Sequence, residues 1–188
     1  MARPKSDDRR NAILSAATRI IAIEGLSAAT AAIAKEAGIP NGSLFTYFET
    51  KADLLNQLYV ELKTEMAAAA LERLPLASDI HTQMRHMWFH SLRWATSYPE
   101  KRRTLAHLAV SEDITPDSRQ KGHQTMVGIA KLLEQSRQNG PMHDVPLALV
   151  AALMSAMADA TIDFMTQDPA HADKHATAAF DAMWRMLT

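Results

Sequence analysis

The chain has 188 residues, no cysteine and a formal net charge of -1 at pH 7, so it is long enough to bury a core unaided, and disulfide frameworks and thiolate metal sites are excluded. The near-neutral balance gives the chain as a whole no basic signature, so any contact with nucleic acid must be local. The opening MARPKSDDRR lacks the apolar core of a signal peptide, and a cysteine-free chain suits a reducing compartment, so a cytoplasmic location is expected.

Glycine is scarce and β-branched runs are short, which points to an all-α fold. The first predicted helix runs from Ser6 to Glu24, with Ser6 as its cap, Asp7 and Asp8 where the helix dipole favours anions, and Gly25 as its stop. Ile13, Ala17, Ile20 and Ile21 supply its buried stripe. A short second helix covers about residues 30 to 37, capped by Ala29 or Thr30 and stopped by Gly38, and a turn follows through Ile39 and Pro40. The third spans residues 41 to 48, where Leu44 and Phe48 lie four positions apart and share the buried face. Thr50 and Asp53 form a T-x-x-D capping box opening a long fourth helix through Leu54, Leu55, Leu58, Leu62 and Met66 to about Leu74. Pro and Gly joints then set helices at residues 78–97, 99–110, 116–139, 145–166 and 170–187. The stretch from Val145 to Ala158 falls short of the roughly 20 apolar residues that span a bilayer, so a buried helix and no membrane are expected.

Two short helices joined by a Gly-containing turn and backed by a longer one are the outline of a helix-turn-helix. With Leu44 and Phe48 inside, the third helix exposes Asn41, Gly42, Ser43, Phe45, Thr46 and Tyr47. Small neutral groups let a helix lie close in a major groove, where donors reach phosphates and an apolar edge touches a thymine methyl. By spacing alone, a helical hairpin whose aromatics fill a core remains open. The segment GLSAATAAIAKEAGIPNGSLFTYFETKADLL resembles the DNA-binding region of the TetR family of transcriptional regulators, in its I-A-x-x-A-G turn, its G-[ST]-L-[FY]-x-[YH]-F recognition helix and its K-x-x-L-L continuation. The resemblance covers roughly residues 6 to 60, with the motif at about 29–48. It implies a homodimeric, ligand-responsive regulator, usually a repressor, with a three-helix DNA-binding domain at residues 1–50 and a helical effector-binding and dimerisation domain at 51–188. It also implies phosphate contacts from Thr30, Ser43, Tyr47 and Lys51, and base-edge positions at Gly42, Phe45 and Thr46, with Asn41 beside them. Pro40 stands where the family often has a hydroxyl cap, Asn41 where it often has Lys, and Phe45 where Tyr is common.

Residues 1–57 hold seven Lys or Arg against six acids. Arg3, Lys5, Arg9 and Arg10 cluster at the start, as an arm that adds DNA-backbone contacts or as a solvated tail.

In the larger part, Leu149, Leu153, Ala156 and Ala160 make one apolar stripe, and Val150, Met154, Met157 and Met165 lie on or near another. A helix apolar on two sides sits in a core or between subunits. The last helix adds Ala172, Ala176, Ala179, Phe180, Met183 and Leu187. The resemblance suggests that these two helices pair with their dimer mates as a four-helix bundle, with Leu149, Leu153, Ala156, Ala160, Phe180 and Met183 at the interface; packing within one chain is the alternative. Trp88, Trp94, Met126 and Met154, with Met87 and Phe89, are candidates to line a pocket for a small, largely apolar effector, or else simply fill a core. His86 with His90 and His171 with His175 have i, i+4 spacing but no H-E-x-x-H pattern, so neither metal nor cofactor is expected. There is no Gly-rich phosphate loop, G-x-S-x-G or nucleophilic cysteine, which argues against an enzyme. The expected function is sequence-specific DNA binding in transcriptional regulation, as a repressor released from a palindromic operator by the effector. A helix-turn-helix activator or DNA-binding protein without an effector is the alternative.

Overall fold

A computed structural model describes the backbone of residues 3–188 and side chains from residue 7 onward. All regular structure among these residues is helical: α1 (Arg3–Glu24), α2 (Thr30–Glu36), α3 (Asn41–Leu44), α4 (Lys51–Leu71), α5 (Ile80–Ser97), α6 (Pro99–Ala109), α7 (Pro116–Thr125), α8 (Val127–Ser136), α9 (Leu147–Gln167) and α10 (Ala172–Leu187), with a 3-10 turn at Pro169–His171 before α10. Helix α1 starts ahead of Ser6, so Ser6 lies inside the helix and is not its cap. The side chains of Arg3, Lys5 and Ser6 lie outside the described residues. Gly25 and Gly38, at φ +73° and +68°, take the left-handed conformation that ends α1 and α2.

The chain folds into two compact units. One comprises the chain up to Lys63 together with Tyr98–His123, and the other Thr64–Ser97 together with Gln124–Thr188. These units do not follow a cut at residue 50, because residues 51–63 and 98–123 cluster with the N-terminal helices. In the first unit Ile13, Ala17, Ile21, Ile33, Ala34, Leu44, Phe48, Leu54, Leu55 and Leu58 are buried, while Ile20 is only half-buried. Helix α1 packs on α2 and α6. Buried Thr104 of α6 donates its hydroxyl to the Thr18 carbonyl at 2.7 Å, and Arg103 reaches the Ala22 carbonyl, so α6 is hydrogen-bonded along α1.

In the second unit α5 packs against α8, α9 and α10. Trp88 is buried and its indole donates to the Ala176 carbonyl at 3.1 Å. The buried Arg137 guanidinium binds Glu134 and the carbonyls of Met142, His143 and Val145, which fixes the turn between α8 and α9.

The single helix expected over 116–139 is broken at Met126. A Cβ on Gly122 would lie 2.8 Å from the Tyr59 ring, and one on Gly128 would lie 2.6 Å from Leu71. Both glycines therefore meet α4 closely.

Just past the end of α4, Arg73 lies in the left-handed region at φ 53°. The His86 ring nitrogen lies 2.8 Å from the Glu72 carbonyl, and the His86 and His90 rings stack with centroids 4.0 Å apart. His90 is held below the ordinary histidine value of 6.5, first by burial and then by His86 and Arg93, against the opposing pull of the Ala69 carbonyl and Glu72. On acidification the unfolded chain takes up this proton first. The contribution is therefore fully present above pH 6.5 and is lost as pH falls below it. Urea-unfolding midpoints measured from about pH 8 to about pH 5 should decline less steeply in His90→Gln than in the wild type.

Candidate nucleic-acid interface

The turn between α2 and α3 is closed by backbone bonds. The Gly38 amide donates to the Lys35 carbonyl and the Ile39 amide to the Ala34 carbonyl, which together finish α2 and send the chain through Pro40. Ala29 is the cap residue of α2 and Pro40 that of α3, and neither offers a side-chain cap bond. Helix α3 covers only residues 41–44; the expected helix continues as tight turns in which the Thr46 amide bonds to Ser43 and the Tyr47 and Phe48 amides both bond to Leu44.

With Leu44 and Phe48 fully buried, the segment turns Asn41, Gly42, Phe45 and Thr46 to solvent, Phe45 at 45% exposure. Thr30, Ser43, Tyr47 and Lys51 are half-buried at its margin. The exposed face from Asn41 to Thr46 carries no charged side chain.

The junction with α4 is a chain of hydrogen bonds. The Asp53 amide donates to Thr50 Oγ1 at 3.0 Å, and Asp53 Oδ2 accepts from the Glu49 amide at 3.1 Å, so the capping box closes one residue earlier than the usual reciprocal bond. Gln57 donates to Asp53 Oδ1 and accepts from Arg10 through Nε and Nη2. Arg10 also reaches Glu61 at 3.3 Å and lies 5.9 Å from the centre of the Phe48 ring. Its guanidinium is engaged in this frame, so Arg10 is not part of a solvated tail. Lys51 Nζ donates to the Leu26 carbonyl at 2.6 Å, tying the loop after α1 to the start of α4. An ammonium has three donors, so two remain for other partners.

The remaining candidates lie in the second unit. Trp88 and Trp94 are buried, and Met126 and Met154 are half-buried. Leu149, Leu153, Ala156 and Ala160 are exposed on α9. Phe180 and Met183 are fully buried within the single chain, where Phe180 meets the His81 ring edge-on at 5.2 Å, so neither has surface to offer a partner. Their place at an interface is corrected: they belong to the core. Phe164, which the sequence reading passed over, is 61% exposed and extends the α9 stripe one step of four beyond Ala160. The His171 and His175 rings both lie 3.0 Å from the Asp168 carboxylate, and their hydrogen bonds hold its pKa below the usual carboxylate value.

Gly42 is a glycine that the local packing does not require. It is not in a left-handed conformation, and a methyl group there would meet nothing within 4 Å. The fold therefore has no use for a glycine at this position. Gly42→Ala should leave the free protein as stable or stabilise it by up to about 1 kcal/mol, while weakening DNA binding. Thermal unfolding and duplex titration of the same sample measure the two effects.

Residues 13–58 match the family model for bacterial regulatory proteins of the tetR family. The HTH-type transcriptional regulator YhgD of Bacillus subtilis is 29% identical over 94 residues, and the match spans 50% of this chain and 49% of that relative. A TetR family transcription regulator from Marinobacter aquaeolei VT8 superposes with a TM-score of 0.88 at 26% identity, covering 98% of each chain. A protein from Shewanella sp. PV-4 assigned to the same family gives a TM-score of 0.83 at 27% identity, covering 94% of this chain and 96% of that one. The helix-turn-helix on its buried frame and a likeness that runs through nearly all the remaining helices have one reading: residues 13–58 are a tetR-family DNA-binding region, in a chain that has the fold of TetR family transcription regulators.

Proposed function

We propose that the protein is a cytoplasmic homodimer that represses transcription from a palindromic operator and is released by a small, largely apolar effector. The observation that carries the operator reading is the uncharged, outward-facing surface Asn41–Thr46, held on the buried pair Leu44 and Phe48. Gly42, Phe45 and Thr46, with Asn41, face the base edges, and Thr30, Ser43, Tyr47 and Lys51 the phosphates. One such segment reads only a few base pairs, so two are needed, placed about 34–36 Å apart or a multiple of it.

The dimer reading is supported by α9. By length and composition alone this 21-residue helix could cross a membrane, longer than the apolar stretch suggested, yet Val150, Thr161 and Ile162 are buried within the chain. It packs on α5, α8 and α10 and presents Leu149, Leu153 and Phe164 outward, at 52%, 38% and 61% exposure. Proteins rarely leave such a stripe uncovered. A second copy supplies a matching apolar face, and two-fold pairing is the commonest way to cover one. Leu153→Asp should yield a folded monomer by sedimentation that has lost operator binding, whereas Phe180→Asp should fail to fold. A Leu153→Asp chain that remains dimeric would put the interface elsewhere.

The effector reading rests on the aromatic and Met side chains of the second unit and on α4, one unbroken helix from Lys51 to Leu71 that begins in one unit and ends in the other. An effector shifts DNA binding only through its differential affinity for two states, typically about 1–3 kcal/mol, and the coupling is reciprocal. Small molecules titrated against intrinsic Trp fluorescence, with and without saturating operator, should include one whose affinity operator lowers by the same factor by which it lowers operator affinity. Ligands that bind tightly yet leave operator affinity unchanged would argue for a regulator without an effector.

A further inference from the structure

Asn56, in the second turn of α4, makes four hydrogen bonds through one carboxamide. Nδ2 donates to the Ala52 carbonyl of its own helix at 2.7 Å and to the Asp113 carbonyl, in the loop between α6 and α7, at 2.8 Å. Oδ1 accepts from the Thr115 amide at 2.9 Å and from the Thr115 hydroxyl at 3.1 Å. The two loop partners bracket Ile114, which is buried. Thr115 in turn caps α7 by accepting from the Ser118 amide at 3.2 Å. Asparagine is a weaker helix former than alanine, so its place inside α4 needs another reason. Donating to one backbone group and accepting from another in a single plane is what an amide does and a carboxylate or aliphatic chain cannot.

The other end of the same segment is held on α1, through Thr104 to the Thr18 carbonyl. Residues 98–123 therefore connect α1 with the start of α4, the two helices that flank the helix-turn-helix, inside one compact unit. We infer that Asn56 and Thr115 form a latch by which this segment sets the orientation of the first two turns of α4, and with them Lys51 and the recognition turn. Asn56 is thus a positioning residue for DNA reading, an assignment that rests on the family's DNA binding and not on any effector. Phosphate contacts tolerate small rotations because they carry no sequence information, whereas base-edge contacts do not. The latch therefore acts on selectivity.

The test begins with a duplex selected from a random pool by the wild-type protein. Affinities for that duplex and for a random one are measured for wild type, Asn56→Ala and Ser118→Ala, together with thermal midpoints. Asn56→Ala should weaken the selected duplex about tenfold and the random duplex by less than about twofold, the scale of one or two lost polar contacts. Ser118→Ala perturbs α7 but leaves the Asn56 bonds in place, and should match wild type on both duplexes. A folded Asn56→Ala that keeps its affinity for the selected duplex, or loses both equally, overturns the latch while leaving DNA reading intact. Should Asn56→Ala not fold, Thr115→Val, which removes the hydroxyl donor and keeps the amide, takes its place. It should weaken the selected duplex alone, and wild-type behaviour overturns the latch. A wild-type protein that selects no sequence overturns the DNA reading and the latch together.

Discussion

Burial of Phe48 decides where the recognition surface points. Its ring has no exposure, its amide closes the turn onto Leu44, and two residues later Thr50 caps α4. Burying a phenylalanine is worth about 1.5–3 kcal/mol, more than any single exposed contact nearby. Once Phe48 and Leu44 are inside, Asn41, Gly42, Phe45 and Thr46 have only the outward side left. The relay from Glu49 through Asp53 and Gln57 to Arg10 then ties that turn to α1, so the exposed face is carried on a frame whose polar groups are already paired. A surface meant to discriminate bases needs such a frame, because lost alignment costs specific binding more than it costs phosphate attraction.

Much of this was legible in the sequence, for local reasons. Gly38, the i, i+4 pair Leu44 and Phe48, and the T-x-x-D cap act within a few residues of themselves, so the helix-turn-helix and the start of α4 stand where the motifs placed them. What escaped notice depends on partners far along the chain. The close approaches of Gly122 to Tyr59 and of Gly128 to Leu71, on either side of the break at Met126, are reported by no local pattern. Arg10 reads as one cation in a basic cluster until Gln57 and Glu61, roughly fifty residues away, are folded beside it. The attachment of residues 98–123 to the N-terminal unit rests on Thr104 and Asn56, ordinary polar residues in ordinary helices.

Helices α9 and α10 show what periodicity leaves undecided. A stripe of apolar residues says that a face will be covered and not by what. Phe180 and Phe164 are both aromatics at stripe positions, yet the first is buried with its ring against His81 of α5 and the second stands in solvent. The difference is set by α5, which occupies one side of the α9 and α10 pair. Sequence cannot supply that allocation, because both sides of α9 are apolar and only tertiary packing chooses which one the chain keeps for itself.

Charge distribution bears on how the proposed dimer would hold DNA. Several cations of the DNA-reading unit are engaged in its own frame: Arg10 with Gln57 and Glu61, Arg19 with Glu36, Arg103 with the Ala22 carbonyl, and one Lys51 donor with Leu26. The face from Asn41 to Thr46 is neutral. Were binding to neutralise few phosphates, counterion release would add little, and one copy would have only a small sequence-independent affinity to build on. Joining two reading surfaces makes the second contact intramolecular and multiplies affinity without any new kind of contact, provided the geometry lets both engage at once. On the proposed dimer, a neutral turn and the exposed Leu149, Leu153 and Phe164 on α9 would be complementary: the less a single turn held DNA through charge, the more its binding would depend on what covers that stripe.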